Sequence, residues 1–309
     1  MEKREIGSLA VTTVGVGCNQ FGTKLDAAQT ATVVHAALDA GINFFDTAEL
    51  YGDGRSEEFL GRALAGRRDE AIIASKFGHK SYGGNATPAA LRTSIEASLK
   101  RLRLDCIDLY QLHTPDPDVP IAETLGVLDE IVKAGKAREI GCSNFSVSQL
   151  REARAAAPPG HAQFVSVQNH YNMFHREPER DVLFECERTG IRFLPYFPLA
   201  FGLLTGKYRQ GQPIPTGTRI ADNARYRSII TDENLEVVEH LVGFASQRGR
   251  SLLDLAFSWL LAHPPVASVI AGATSAAQVE ANAKAGEWAL SSAEMAELDL
   301  ELQAVGGGR

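Results

Sequence analysis

The feature that most constrains this chain is a rhythm. Short apolar, β-rich runs recur eight times, at residues 14–17, 42–46, 71–76, 107–113, 137–143, 164–169, 191–199 and 268–272. The stretches between them carry apolar residues at i, i+3, i+4 spacing, the mark of a helix with one buried face. AAQTATVVHAALDA, TPAALRTSIEASLKRL, IAETLGVLDEIVKA and SVSQLREARAAA are examples. Thr87-Pro88 reads as an N-cap followed by a proline at the first helical position. Ser146-x-x-Gln149 reads as a capping box, and Gly41 and Gly135 sit where helices should end. Seven runs precede a clear helix, and the eighth precedes QVEANAKAGEW. Strict alternation in this number predicts an α/β fold, a parallel (β/α)8 TIM barrel. A doubly wound open sheet is the alternative, but no G-x-G-x-x-G follows the first run.

A barrel of this kind needs roughly 250 residues. The rest of the 309 residues go to a predicted hairpin over 4–14, turning at Gly7-Ser8, and to an insertion after the seventh strand. That insertion, 207–227, holds Lys207, Arg209, Arg219, Arg225 and Arg227 against the single acid Asp222. No internal repeat or linker divides the chain, so 1–309 is expected to be one domain.

Composition excludes several classes. The formal charge is -7 with signs interspersed, so the basic stripe of a nucleic-acid surface is missing. Cys18, Cys106, Cys142 and Cys186 lie far apart, without C-x-x-C, as reduced thiols do rather than disulfides or a zinc site. The tract SLLDLAFSWLLAHPPVASVIA is broken by Asp254, His263 and Pro-Pro, too interrupted to span a bilayer. The segment MEKREIGSLAV has no signal-like apolar region, and a soluble cytoplasmic protein is expected.

In a parallel barrel all strand C-termini open on one face, where the chemistry resides. There the sequence places Gly17, Cys18 and Asn19; Asp46 with Tyr51 on its loop; Lys76; His113; Ser143 and Asn144; Gln168 and Asn169; and Tyr196. Singly, each has an ordinary explanation. A lysine commonly ends a strand in solvent, a Ser143-Asn144 pair is a common helix cap, and an amide such as Gln168 is often a satisfied core group. Together, Asp46, Tyr51, Lys76 and His113 suit one chemistry. A tyrosine has a pKa near 10, and an adjacent ammonium lowers it. Lys76 can supply that charge, Asp46 can hold Lys76 protonated, and His113 can donate to a carbonyl oxygen near the phenol. No metal cluster is expected. No side chain can deliver a hydride, so a cofactor is implied.

FFDTAELYG, ASKFG, DLYQLH, GCSNF, VQNHYN, PYFPLAFGLLTGKY and GATSAAQVEANAKA, in this order across the chain, resemble the aldo-keto reductase superfamily. The similarity points to its bacterial members related to potassium-channel β subunits. The resemblance implies NADP(H) extended across the barrel's C-terminal face and hydride transfer to or from a small-molecule carbonyl or alcohol. It implies Asp46, Tyr51, Lys76 and His113 as the catalytic tetrad, with Tyr51 the general acid in reduction and the base in oxidation. Ser143, Asn144 and Gln168 would hold the nicotinamide carboxamide, and Tyr196 would stack on its ring. Leu199, Gly202, Leu203 and Lys207 would follow the pyrophosphate. Gly272, Thr274, Gln278 and Asn282 would meet the adenosine end, and Gly17, Asn19 and Asp46 complete the cofactor set.

One departure bears on the cofactor. IAGATSAAQVEAN carries no Arg or Lys for a 2′-phosphate, which leaves NAD(H) possible. The arginine-rich insertion could compensate by folding over the cofactor. Another departure is His170, where relatives often carry an acid. Asn19, Gln20, Phe21, Tyr82 and Phe201 are the candidate substrate-pocket residues. Two other classes compete with the oxidoreductase: a cofactor-binding regulatory subunit with little turnover, and an aldolase using Lys76 as a Schiff base. The second needs a lysine of depressed pKa, which Asp46 opposes. Oligomeric state is not legible.

Overall fold

A computed structural model describes residues 1–304. The chain begins with an antiparallel hairpin of β1 (Lys3–Ile6) and β2 (Leu9–Thr12). The alternation then runs β3 (Val14–Gly17), α1 (Ala27–Asp39), β4 (Phe44–Asp46), α2 (Arg55–Ala63), β5 (Ile72–Phe77), α3 (Pro88–Leu102), β6 (Ile107–Leu112), α4 (Ile121–Lys133) and β7 (Ala137–Ser143). It continues through α5 (Val147–Ala156), β8 (Phe164–His170), α6 (Val182–Thr189) and β9 (Arg192–Tyr196). The insertion holds two one-turn helices, α7 (Arg219–Asp222) and α8 (Ala224–Arg227). After it come α9 (Asp232–Gln247), α10 (Leu252–Leu261), β10 (Val269–Gly272), α11 (Ala276–Ala285) and α12 (Ser292–Ala304).

All eight strands expected from the sequence form one parallel sheet, ordered β10-β3-β4-β5-β6-β7-β8-β9. The barrel closes just before β10. Phe193 N donates to Pro265 O at 2.8 Å and Ala267 N donates to Phe193 O at 3.0 Å. Helix boundaries follow the local chemistry. Thr87 caps α3 with Pro88 in its first turn, and Ser146 and Gln149 form a reciprocal capping box on α5. Gly41 and Gly135 take φ of +78° and +72° with open space around them, so conformation rather than crowding calls for glycine there.

The hairpin is the floor of the barrel. Ile6, Leu9 and Val11 are fully buried against the inward side chains Phe44, Ala74, Leu109, Leu194 and Ala267. Each such burial contributes about 1.5–3 kcal/mol. Asn43 ties floor to wall by accepting from Thr12 N at 2.8 Å and donating to Ala10 O at 2.9 Å. With the N-terminal end sealed, the strand C-termini are left as the open face. The larger core lies between the sheet and its helices.

Two features differ most from expectation. The seventh strand stops at Tyr196, because Phe197, Ala200 and Phe201 adopt left-handed φ of 51°, 46° and 59° and turn the chain across the barrel mouth. α12 was not foreseen. No described helix is long and apolar enough to cross a membrane, and the four cysteines are free thiols.

Candidate active site

A cavity of about 1140 Å³ opens on the C-terminal face of the barrel. It exceeds the 300–1,000 Å³ of most small-ligand pockets, so it can take a dinucleotide and a substrate together. Asp46, at the end of β4, lines the cavity and is 3% exposed, and Lys76 on the neighbouring β5 is fully buried. Lys76 Nζ donates to Asp46 Oδ2 at 2.5 Å and to Thr47 O at 3.0 Å. The other carboxylate oxygen accepts from Gln111 Nε2 at 3.2 Å and from Gln168 Nε2 at 3.0 Å. A buried ion pair persists only when its remaining donors and acceptors are filled in this way. Gln111 was missed in the sequence because an amide inside an apolar run reads as core. It lies beside Lys76 in the β5–β6 register.

Tyr51 reaches this corner from the loop after β4. The turn depends on Gly52, whose φ is +59° and whose missing Cβ would meet Gly22 and Phe21 backbone at 3.1 Å. Lys76 Nζ lies 5.2 Å from the centroid of the Tyr51 ring. Burial pushes the phenol above its ordinary pKa, Lys76 pulls it down, and Asp46 pushes it up again. The net direction is upward, which corrects the expectation of a lowered phenol: removal from water outweighs the ammonium. For Lys76, burial opposes the charge, but Asp46 and Tyr51 more than offset it and hold the lysine above its usual value.

His113 stands edge-on to Tyr51, ring centroids 6.0 Å apart. Burial, then Lys76, then His79 push its pKa down to about 2. It is therefore neutral and can donate one N–H to a carbonyl. Asn144, at φ +63°, donates to His113 O at 2.9 Å and to Ser143 Oγ at 3.1 Å, and accepts from Tyr196 Oη at 2.8 Å. Ser143 Oγ donates to Gln168 O at 2.7 Å. Ser143, Asn144, Gln168 and Tyr196 thus form one linked wall beside His113. Behind Tyr196 stands a column of parallel rings: Tyr196 to His170 at 5.4 Å and 11°, and His170 to His175 at 3.9 Å and 10°. Burial, then His175, lowers His170 to about 4.

The rest of the cavity suits an extended polyanion. Gly17, Asn19, Leu199, Gly202 and Lys207 line its middle; Gly272, Thr274, Gln278 and Asn282 line its far end. Among the lining residues Lys24, Lys207, Arg219 and Arg225 are cationic, and the single acid, Asp46, is paired with Lys76. Such a groove focuses positive potential on phosphates. The segment after β10 brings no cation to the far end, as its sequence indicated.

Several expected residues lie elsewhere. Leu203 is fully buried and outside the lining, because the turn that brings Gly202 to the cavity sends its neighbour into the core. Phe21 is likewise buried, whereas Asn19, Gln20, Tyr82 and Phe201 do line the cavity. In the insertion, the Arg219 guanidinium lies 5.5 Å from the Phe197 ring and 5.7 Å from Tyr226. Asp222 pairs with Lys24 at 3.0 Å, linking the insertion to the loop after β3. Arg219 and Arg225 reach the cavity. Arg227 does not line it, and donates to Ala221 O at 2.7 Å. His79, unmarked in the sequence, lines the cavity beside His113.

The sequence model of the Aldo/keto reductase family matches residues 13–301. The aldo-keto reductase YhdN of Bacillus subtilis is 36% identical over 306 residues, 97% of this chain and 91% of that protein. A probable voltage-gated potassium channel subunit beta of Arabidopsis thaliana is 36% identical over 300 residues, 92% of this chain and 91% of that protein. The crystal structure of an aldo-keto reductase from Klebsiella pneumoniae in complex with NADPH superposes with a TM-score of 0.76 at 30% identity, covering 97% of this chain and 95% of that one. An eight-stranded barrel with a buried Asp-Lys pair, a tyrosine and a histidine at its mouth thus has its relatives along its whole length, and the chain belongs to the aldo/keto reductase family.

Proposed function

We propose that this protein is an NADPH-dependent oxidoreductase that interconverts small aldehydes or ketones and their alcohols. The observation that carries this reading is the meeting of Asp46, Lys76, Tyr51 and His113 in one corner of a cationic groove. The residues present fit a nicotinamide dinucleotide. From positions lining that groove, Ser143, Asn144 and Gln168 would hold its carboxamide, Tyr196 its ring, Lys207 its pyrophosphate, and Thr274 and Gln278 its adenosine. When bound, the reduced nicotinamide supplies the hydride. The solved Klebsiella relative, which holds NADPH, supports this cofactor.

The chain's own residues do the rest. The neutral His113 donates an N–H to the carbonyl oxygen and polarises it. Tyr51, whose burial keeps it protonated at neutral pH, delivers its proton to that oxygen as negative charge develops. Lys76, held charged by Asp46, stabilises the phenolate left behind. In the oxidative direction the same phenolate accepts the alcohol proton. Gln168 donates one amide N–H to Asp46, and its oxygen would accept from the carboxamide N–H. Asn19, Gln20, Tyr82 and Phe201 line the same cavity and would bound the substrate.

The direct test mixes the protein with NADPH, and in parallel NADH, and 4-nitrobenzaldehyde, methylglyoxal and a sugar aldehyde, following loss of nicotinamide absorbance. Turnover with NADPH supports the reading. Tight NADPH binding without turnover of any carbonyl contradicts it and favours a regulatory role of the kind named for the Arabidopsis relative.

A further inference from the structure

Behind the reacting corner, the first turn of α2 carries a buried polar cluster that the chemistry above leaves unused. Thr47, Ser56, Glu57 and Ser75 are all fully buried, and none of them lines the cavity. Ser56 Oγ donates to Cys18 O, just past β3, at 2.8 Å. Its single proton is thereby used, so in its 2.8 Å contact with Thr47 Oγ1 the threonine is the donor. Thr47 directly follows Asp46, and its carbonyl accepts from Lys76 Nζ at 3.0 Å. Glu57 Oε1 accepts from Ser75 Oγ at 2.5 Å, and its Oε2 accepts from Arg101 Nε at 2.6 Å. Ser75 is the residue before Lys76 on β5. Ser56 and Glu57 thus tie one helical turn to the C-terminal ends of β3, β4 and β5.

That turn in turn holds Tyr51. Ser56 N donates to Tyr51 O at 3.2 Å. Arg55 N and Nε both donate to Gly52 O, at 3.2 and 2.8 Å. The surroundings are close: a Cβ on Gly22 would come within 2.5 Å of Arg55 Cβ, and one on Gly54 within 2.8 Å of Arg101 Cδ. Tyr51 stands on a loop, so the ladder of the sheet does not itself fix its distance from Lys76. The connection from Lys76 Nζ to the Tyr51 backbone runs instead through Thr47 and one serine hydroxyl. Apolar side chains would bury α2 against the sheet without the desolvation that a carboxylate and three hydroxyls cost. Directional bonds add what apolar packing lacks, a single fixed placement.

We propose that Ser56 is a positioning residue for the proton transfer, supported by Glu57: its hydroxyl holds the Tyr51 loop where the phenol meets Lys76 and the carbonyl oxygen together. The inference rests on the oxidoreductase reading above and adds to it two residues that touch neither substrate nor cofactor.

The test measures single-turnover oxidation of bound NADPH by 4-nitrobenzaldehyde in Ser56→Ala, alone and combined with Tyr51→Phe. Losing a hydroxyl that aims the phenol should slow the reaction about ten- to a hundredfold, with the Kd for NADPH unchanged. In the Tyr51→Phe background the same loss should change the rate by less than about threefold, because the atom being aimed is gone. Equal slowing in both backgrounds would mean that the hydroxyl serves the fold at large, and it overturns the assignment; so does a wild-type rate in Ser56→Ala. If Ser56→Ala fails to bind NADPH, Glu57→Gln, which keeps the side chain's shape, carries the same comparison. Loss of NADPH binding in both variants also overturns the assignment, and each of these results leaves the oxidoreductase reading intact. Absence of turnover by the wild-type protein, despite NADPH binding, removes both.

Discussion

Lys76 and Asp46 are joined at 2.5 Å where both side chains are closed off from solvent. A buried pair of this kind contributes little net stability, yet removing one partner strands a charge at a cost of about 3–5 kcal/mol. Lys76→Met should therefore lower the urea midpoint markedly. It should also lower kcat by about 10²- to 10⁴-fold, as loss of assisted proton transfer does. The double variant Asp46→Asn/Lys76→Met should recover much of the stability and none of the rate. Recovery of both would mean that the pair is structural only.

Cofactor affinity should separate the arginines of the insertion. Arg219 and Arg225 line the cavity and Arg227 turns back on its own backbone. Neutralising Arg219 and Arg225 should weaken NADPH binding about tenfold, with the difference shrinking as salt is raised. Arg227→Ala should leave the Kd in place. Equal effects from all three would show a diffuse field rather than contact.

The ring column predicts a local effect on the nicotinamide. His170 backs Tyr196 at 5.4 Å, and the two residues are partners in the β8–β9 register. His170→Ala should weaken NADPH binding about three- to tenfold while ADP-ribose 2′-phosphate, which lacks the nicotinamide, binds as before. His170→Phe should restore affinity. If both ligands weaken equally, the column supports the fold and not the platform.

Acid stability carries a histidine signature. The unfolded chain protonates histidine near 6.5, whereas burial holds folded His113 near 2 and folded His170 near 4. Between about pH 6.5 and 4 the unfolded state binds more protons, so stability falls as pH drops, by up to about 1.4 kcal/mol per pH unit for a fully neutral site. Glu185, lowered to about 2 by Arg188 and Arg151, loses its contribution only below about 4.5, so above that pH the histidines act without it, and below it Glu185 adds to the continuing His113 loss. Denaturant titrations of wild type and His170→Asn should show a shallower slope in the variant over the upper window.

The β/α rhythm was legible because strand runs and capped helices are local patterns. The meeting of Asp46, Tyr51, Lys76 and His113 was legible because a parallel barrel sends every strand end to one face. What escaped depends on contacts between distant segments. Gln111 acquires its role only when β5 and β6 set it beside Lys76. Gly78-His79 carries no periodic signal, and its approach to His113 is made by the loops. The floor formed by the hairpin, the left-handed turn after Tyr196 and the backward-facing Arg227 are equally non-local. The phenol's upward shift was missed because the sequence shows a neighbouring charge but not the depth of burial that outweighs it.

The central claim is that Tyr51 Oη transfers the proton. Tyr51→Phe removes that one atom and leaves the ring beside Lys76 and His113 in place. Single-turnover oxidation of bound NADPH by 4-nitrobenzaldehyde should slow by about 10²- to 10⁴-fold in this variant, with NADPH affinity unchanged. A rate within about threefold of wild type would contradict the assignment of Tyr51 as the acid.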